Sequence, residues 1–179
     1  MHNLYHQPLE LPVLFTVDEL DSKSRLTHYS GSHPELDLFL LQQGVQIREA
    51  QRFYTPPNDI LPPHVDCDHV NNYTKLNYVF GGAGSRMNWF RLKPGAKTMA
   101  LSTGANTRYL AAMPVDLEPV HSASVGFPSL VNSGQFHSIT NGPEARICYS
   151  FMLCYADNLK KNLDWADAMV MFKDWFQTT

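Results

Sequence analysis

The chain has 179 residues, 44% of them hydrophobic and 17% charged, with a formal net charge of -3. Those totals describe an ordinary globule that can bury about two-thirds of its unfolded surface, so it needs no disulfide or structural metal to fold. No basic stripe is visible, which argues against nucleic acid as a partner, and no apolar run approaches the ~20 residues that would span a bilayer.

Cys67, Cys148 and Cys154 are odd in number and show no CxxC spacing, against a disulfide framework or a zinc ribbon and in keeping with a reducing compartment. The start, MHNLYHQPLELPVLFTV, has no basic stretch followed by an apolar one, so no signal peptide is expected. The expectation is a single cytoplasmic domain over 1–179 with its core at about 45–155.

In chain order, SHPELDLFLLQQG predicts a first helix. Ser32 stands three residues before Glu35 at capping-box spacing, and Gly44 stops the run. The middle then shortens its period. KLNYVF (75–80), RMNWFRL (86–92), KTMALS (97–102), VHSASVGF (120–127), SLVNS (129–133), FHSIT (136–140) and ARICYSFML (145–153) read as strands. GGAGS, KPGAK, NSGQ and NGPE separate them as turns. GGAGS is no phosphate loop, because no Lys-Ser/Thr follows and a strand comes next. DWADAMVMFKDWF predicts a closing helix over about 164–176, capped by Asp164, with Ala166, Met169, Val170, Phe172 and Phe176 at helical spacing. Short strands with close turns, flanked by helices, point to a mainly β sandwich or barrel of the jelly-roll kind.

The densest chemistry lies in PPHVDCDH, residues 62–69. In an extended segment His64 and Asp66 project to one side and Val65 to the other. Pro62 and Pro63 stiffen the approach. One imidazole and one carboxylate are two ligands of a nitrogen–oxygen metal site, and a third must come from elsewhere. The best placed is His137, on one arm of an apparent hairpin whose turn is NGPE, with Arg146 on the other arm. With a two-residue turn His137 faces 146; with a four-residue loop it faces 148, and 146 faces 139. Both put His137 and Arg146 on one face of a sheet, whereas a three-residue loop without a bulge breaks the relation. Two His and one Asp on one side of an iron form a facial triad with open positions opposite. An Arg nearby supplies a planar fork for a carboxylate. A dicarboxylic 2-oxo acid would chelate the metal at one end and dock on Arg146 at the other.

HVD, a distal His and an Arg nine residues on resemble the 2-oxoglutarate/Fe(II)-dependent oxygenase superfamily, over about residues 50 to 155. LVNSGQFHSITNGPEARICYSF looks most like the aspartyl/asparaginyl and prolyl hydroxylase branches. The resemblance implies a double-stranded β-helix (jelly roll) with flanking α-helices, and a hydroxylase using Fe(II), 2-oxoglutarate and O2. It implies that His64, Asp66 and His137 bind the metal and carry catalysis, and that Arg146 holds the far carboxylate of 2-oxoglutarate. Lys75 and Asn77 match positions that help hold the co-substrate. Many relatives carry Ser two residues after the Arg, where this chain has Cys148; Ser150 keeps the same face one step on. Asp66 departs from animal-type aspartyl hydroxylases and from halogenases, which lack that carboxylate.

The implied substrate is a peptide side chain or a small molecule, selected by residues about 102–120 and the N-terminal segment. Asp68, His69, His28, His33 and His121 read as bystanders, while Trp89 and Arg91 stand either at the site mouth or in the core. Two rival functions use the same residues. HVDCDH is one residue away from the signature of metallo-β-lactamase-like zinc hydrolases, with Asp68 or His69 binding a second metal. A non-catalytic jelly-roll binding module would keep the shell alone.

Overall fold

The computed structural model describes residues 4–12, 15, 24–31, 33–103, 107–126 and 128–177. Its strands are β1 (His6–Pro8), β2 (Leu26–His28), β3 (Val45–Thr55), β4 (Ile60–Val65), β5 (Thr74–Gly81), β6 (Arg86–Leu92) and β7 (Thr98–Ser102). They continue with β8 (Arg108–Ala112), β9 (Leu117–Ser124), β10 (Ser129–Asn132), β11 (Phe136–Thr140), β12 (Arg146–Tyr155) and β13 (Asn158–Asn162). Helix α1 (Pro34–Gln42) precedes β3, and α2 (Trp165–Met171) follows β13.

Two antiparallel sheets result, one in the order β1-β10-β5-β12-β3-β2 and the other β7-β8-β4-β11-β6-β9, with β13 added at β12. The pairings β3·β12, β4·β11, β5·β10 and β6·β9 nest inside one another. They describe one long antiparallel ribbon whose two arms cross between sheets together. Rolling that ribbon up closes β12 on β5 and β11 on β6. This is the jelly roll, with β7 and β8 inserted at its middle.

Strand β12 shows how the layers are filled. Ile147, Tyr149, Phe151 and Leu153 are buried together with Leu36, Phe39 and Leu40 of α1 and Trp165, Ala168 and Met169 of α2. Their alternates Arg146, Cys148 and Ser150 line a chamber between the sheets. Both faces are covered, so the strand reads as an almost continuous buried run.

The closing helix is capped as expected: Asp164 accepts from the Ala166 N–H at 2.8 Å. It is shorter than the expected span, ending at Met171 before a separate 3-10 turn over Lys173–Trp175. Its buried face is Trp165, Ala168 and Met169, continued by Phe172, which leaves Ala166 and Val170 in solvent. At α1 the N-cap is His33, without a side-chain cap bond; Ser32 lies outside the described residues. Gly44 ends that segment at φ +76°, with its N–H on the Leu41 carbonyl.

The expected hairpin between His137 and Arg146 does not form. β11 pairs with β4 and β6, and β12 with β3 and β5, so the two strands lie in different sheets. Residues 141–145 cross between them. The Asn141 side-chain amide donates to the Thr55, Pro56 and Glu144 carbonyls at 3.1, 2.7 and 2.8 Å, and its oxygen accepts from Ser85. A Cβ at Gly142 would run into the Ala83 carbonyl oxygen. These bonds tie the crossing to β3 and to the turn after β5, and they replace the hairpin that NGPE suggests.

Candidate metal centre

His64 and His137 are direct register partners across β4 and β11, so their rings project from the same side of the sheet, 4.5 Å apart between centroids. Asp66 lies immediately beyond β4. Val65 points the other way and is fully buried with Leu110, Ala112, Leu117 and Phe136. The alternation expected of HVD therefore holds, and the apolar residue between the two polar ones anchors the segment. Pro62 and Pro63 fit within β4 because its register to β11 is interrupted there: Leu61 faces Ile139 and His64 faces His137, with no partner for either proline.

The Asp66 carboxylate stands between the rings, its Oδ1 3.2 Å from His64 Nε2 and its Oδ2 3.8 Å from His137 Nε2. One ligand atom from each of the three residues lies within 4.8 Å of the others. Both rings are fixed from behind. His64 Nδ1 sits 2.8 Å from the Pro62 carbonyl and His137 Nδ1 2.9 Å from the Gln135 carbonyl. A carbonyl accepts, so each Nδ1 carries the proton and, in the neutral ring, each Nε2 offers a lone pair toward Asp66. Burial pushes the His137 pKa down to about 4, and neighbouring His64 adds to this, so the ring is neutral at ordinary pH. Burial alone would raise the Asp66 carboxyl. The Lys75 ammonium, with His137 and His64 adding to its effect, outweighs it and holds the group well below the usual carboxylate range. Acceptor atoms thus converge from three sides, which is an arrangement suited to a cation.

Lys75 supplies one cation already. Its Nζ lies 2.9 Å from Asp66 Oδ2 and 3.4 Å from Gln51 Oε1, with the side chain 3% exposed. It reaches the site from β5, on the facing sheet. Two chambers meet here, sharing His64, Asp66 and Lys75 in their linings. The inner one, about 80 Å³, is lined by Asn77, Arg146, Cys148 and Ser150 as well as by the metal-centre residues. The outer one, about 710 Å³, is lined by β8, β7 and the segment leading into β2.

Arg146 is 3% exposed, and among the described residues no carboxylate lies within ion-pair distance of it. Burial pushes the Cys148 thiol up and the neighbouring Arg146 charge counters it in part, while the Arg146 Nε has no hydrogen-bond partner. A Cβ on Gly82 would stand 2.8 Å from Arg146 Cβ, so the glycine turn after β5 leaves room for this side chain. Asn77 Oδ1 is likewise buried without a partner. Ser150 faces Asn77 and Gln51 in the register of β12 with β5 and β3.

All seven side chains singled out in the sequence, His64, Asp66, Lys75, Asn77, His137, Arg146 and Ser150, line the inner chamber. His137 and Arg146 meet across the sandwich rather than along one sheet. Asp68 and His69 pair with each other at 2.8 Å on the exposed side, and neither joins the cluster of possible ligands. Trp89 belongs to the core: it is fully buried with Met87, Val131 and Ile139, and its Nε1 donates to the Asn132 carbonyl. Arg91 lines neither chamber. Gln51, Phe53 and Thr55, which alternate along β3, and Leu61, beside the two prolines, also line the chambers; the alternation is the one signal of them in the sequence.

The cysteines are free, and no helix among the described residues is long and apolar enough to cross a membrane. No family model and no curated protein matches the chain. Among solved structures it is similar to a 2OG-Fe(II) oxygenase family oxidoreductase from Burkholderia pseudomallei, at 13% identity and a TM-score of 0.35, over 72% of this chain and 50% of that one. It is also similar to an oxalate oxidase in complex with glycolate, at 17% identity and a TM-score of 0.29, over 63% and 46%. A cupin 2 domain-containing protein from Halorhodospira halophila gives 12% identity and a TM-score of 0.30, over 95% and 89%. The chain thus aligns with about half the length of the first two. Likeness this distant bears on neither activity nor substrate, and the fold assignment rests on the strand topology.

Proposed function

We propose that the protein is a non-haem Fe(II) dioxygenase that couples oxidative decarboxylation of 2-oxoglutarate to hydroxylation of a substrate. The reading is supported above all by one juxtaposition. A cluster of acceptors suited to a cation and a buried guanidinium without a carboxylate partner share one small chamber. A buried cation of that kind calls for an anionic partner. A dicarboxylic acid that chelates a metal at one end meets both demands at once.

In this reading His64, Asp66 and His137 hold the iron, two neutral imidazoles and one carboxylate being the donor set of the facial triad. When bound, iron, 2-oxoglutarate and O2 supply the oxidising chemistry, giving succinate, carbon dioxide and one oxygen atom for the substrate. The rest falls to the chain. The Pro62 and Gln135 carbonyls hold the Nδ1 protons of the two rings, so Nε2 is kept for the metal. Lys75 occupies Asp66 Oδ2 and leaves Oδ1 on the His64 side. Arg146 binds the distal carboxylate, with Asn77 and Ser150 as polar lining. Leu61, Met87, Val131 and Ile139 form the apolar part of the inner chamber's wall. A dizinc hydrolase would need Asp68 or His69 at the centre, and their exposed mutual pair speaks against it.

Anaerobic addition of Fe(II) and 2-oxoglutarate to the purified protein should produce a weak visible charge-transfer band. In Arg146→Gln the band should require at least tenfold more 2-oxoglutarate, as expected for loss of a charge-assisted pair. No band in the parent protein would refute the proposal; a band with an unchanged requirement in the variant would move the anchor elsewhere.

A further inference from the structure

The outer chamber has its own charge and shape. Its volume of about 710 Å³ falls in the range of small-molecule sites, roughly 300–1,000 Å³. Phe53, Leu61, Pro62, Leu101, Ala111 and Met152 give it apolar walls. Among the described residues Asp66 is the sole carboxylate in its lining, against Arg25, Lys75 and Arg108. Lys75 and Asp66 neutralise each other at 2.9 Å, which leaves two guanidinium groups. They come from different sheets: Arg25 from the segment entering β2, Arg108 from the start of β8. Arg25, which lines the inner chamber as well, is paired with Asp59 at 3.1 Å, so the less engaged charge is that of Arg108. Arg108 is weakly engaged, since Asp68 Oδ2 stands 3.7 Å away, beyond hydrogen-bond distance, and Asp68 is closer to His69 at 2.8 Å.

We infer that the outer chamber binds a small organic carboxylate with an apolar body, its anion held at the mouth by Arg108 and Arg25 and its hydrocarbon part reaching inward toward His64. The two chambers then sort two acids by shape. The short dicarboxylate goes to the smaller chamber of Arg146, about 80 Å³, and the bulkier monoacid goes to the larger one. The inference names the substrate class of the reaction proposed above and rests on that reading for the chemistry, while the binding itself needs no iron.

The test is calorimetric titration of the metal-free protein with 4-phenylbutyrate, 4-phenylbutan-1-ol and 4-phenylbutylamine at low salt. The carboxylate should bind about fivefold more tightly than the alcohol, the size expected for exposed ion pairs, and the preference should fade as salt rises. The double variant Arg25→Gln/Arg108→Gln should bring acid and alcohol to equal affinity. Leu101→Trp, on the exposed strand β7 at the chamber wall, should report binding as a shift in indole emission that the parent protein does not show. Absence of carboxylate binding, equal affinity for the amine, a preference that survives the double variant, or binding that leaves the emission of the Leu101→Trp variant unmoved would each overturn the inference. 2-Oxoglutarate titrated into Mn(II)-loaded Arg146→Gln reads the inner chamber separately. A defect there with no carboxylate preference outside overturns this inference and leaves the iron reading standing, and the opposite pattern sinks the iron reading alone.

Discussion

Lys75→Met removes the ammonium that faces Asp66 while nearly conserving side-chain volume. Lys75 is 2% exposed and its pair with Asp66 is 2.9 Å long, so the carboxylate is left without its nearest cation in a largely enclosed site. Removing one partner of a buried pair costs roughly 3–5 kcal/mol. The Asp66 side chain keeps 15% exposure, which places the expected loss at the lower end, about 3 kcal/mol. In urea, at an m value of about 2 kcal/mol per molar, the unfolding midpoint should fall by about 1.5 M. The measurement is made in a chelator and repeated with Mn(II), an air-stable divalent ion. A metal ion at a hundredfold its dissociation constant adds about 2.7 kcal/mol, so Mn(II) should restore most of the lost stability. It should also bind the variant more tightly than the parent, because it no longer shares Asp66 with an ammonium. A variant as stable as the parent in chelator would refute the reasoning, since Asp66 would then not depend on Lys75.

Acid should destabilise the metal-free protein well before its carboxylates protonate. Burial, with His121 beside His6 and His64 beside His137, lowers both imidazoles from 6.5 to about 4. Between those pH values the unfolded chain takes up protons that the folded one refuses, so stability falls as pH drops from 6.5 to 4 and is unaffected above. Each ring contributes up to about 3 kcal/mol over that window. His6→Gln should remove about half of the slope in the urea midpoint against pH, and a flat profile would refute the assignment. The depressed Asp66 carboxyl adds a further loss only below the ordinary carboxylate value, as pH falls through its folded pKa. Gly142→Ala should drive a methyl group into the Ala83 carbonyl and open the crossing between sheets, costing about 2 kcal/mol and lowering Tm by about 5 °C in a thermal scan. Gly126→Ala is the control: its Cβ meets nothing within 4 Å among the described residues, and it should leave Tm unchanged.

Much of the site was legible because its rules are local. The i, i+2 relation of His64 and Asp66 needs only an extended backbone, and the buried Val65 between them makes that conformation stable. Asp164 announces its helix through a cap two residues long, and GGAGS and NSGQ mark turns by composition. β3 and β4 were harder. β4 carries two prolines that are tolerated only because its ladder to β11 skips them, and a skipped register depends on the partner. β12 gave the right residues for a wrong reason. Its two buried faces look alike in sequence, and a strand covered on both sides hides which alternates face helices and which face a cavity.

The sequence by itself thus determined the candidate ligand types, their spacing along each segment and the parity that aims them, because these depend on backbone geometry over two or three residues. It also set Arg146 inside an apolar strand, where a buried guanidinium favours an anionic partner. Tertiary structure alone decided that β11 and β12 part into different sheets, that His137 and Arg146 therefore meet across a chamber, and that Lys75 reaches Asp66. Those relations rest on a crossing held by Asn141 and on contacts between strands far apart in the chain. The bonds that select that crossing over a hairpin come from β3 and the turn after β5, so no reading confined to residues 137–146 could have found it.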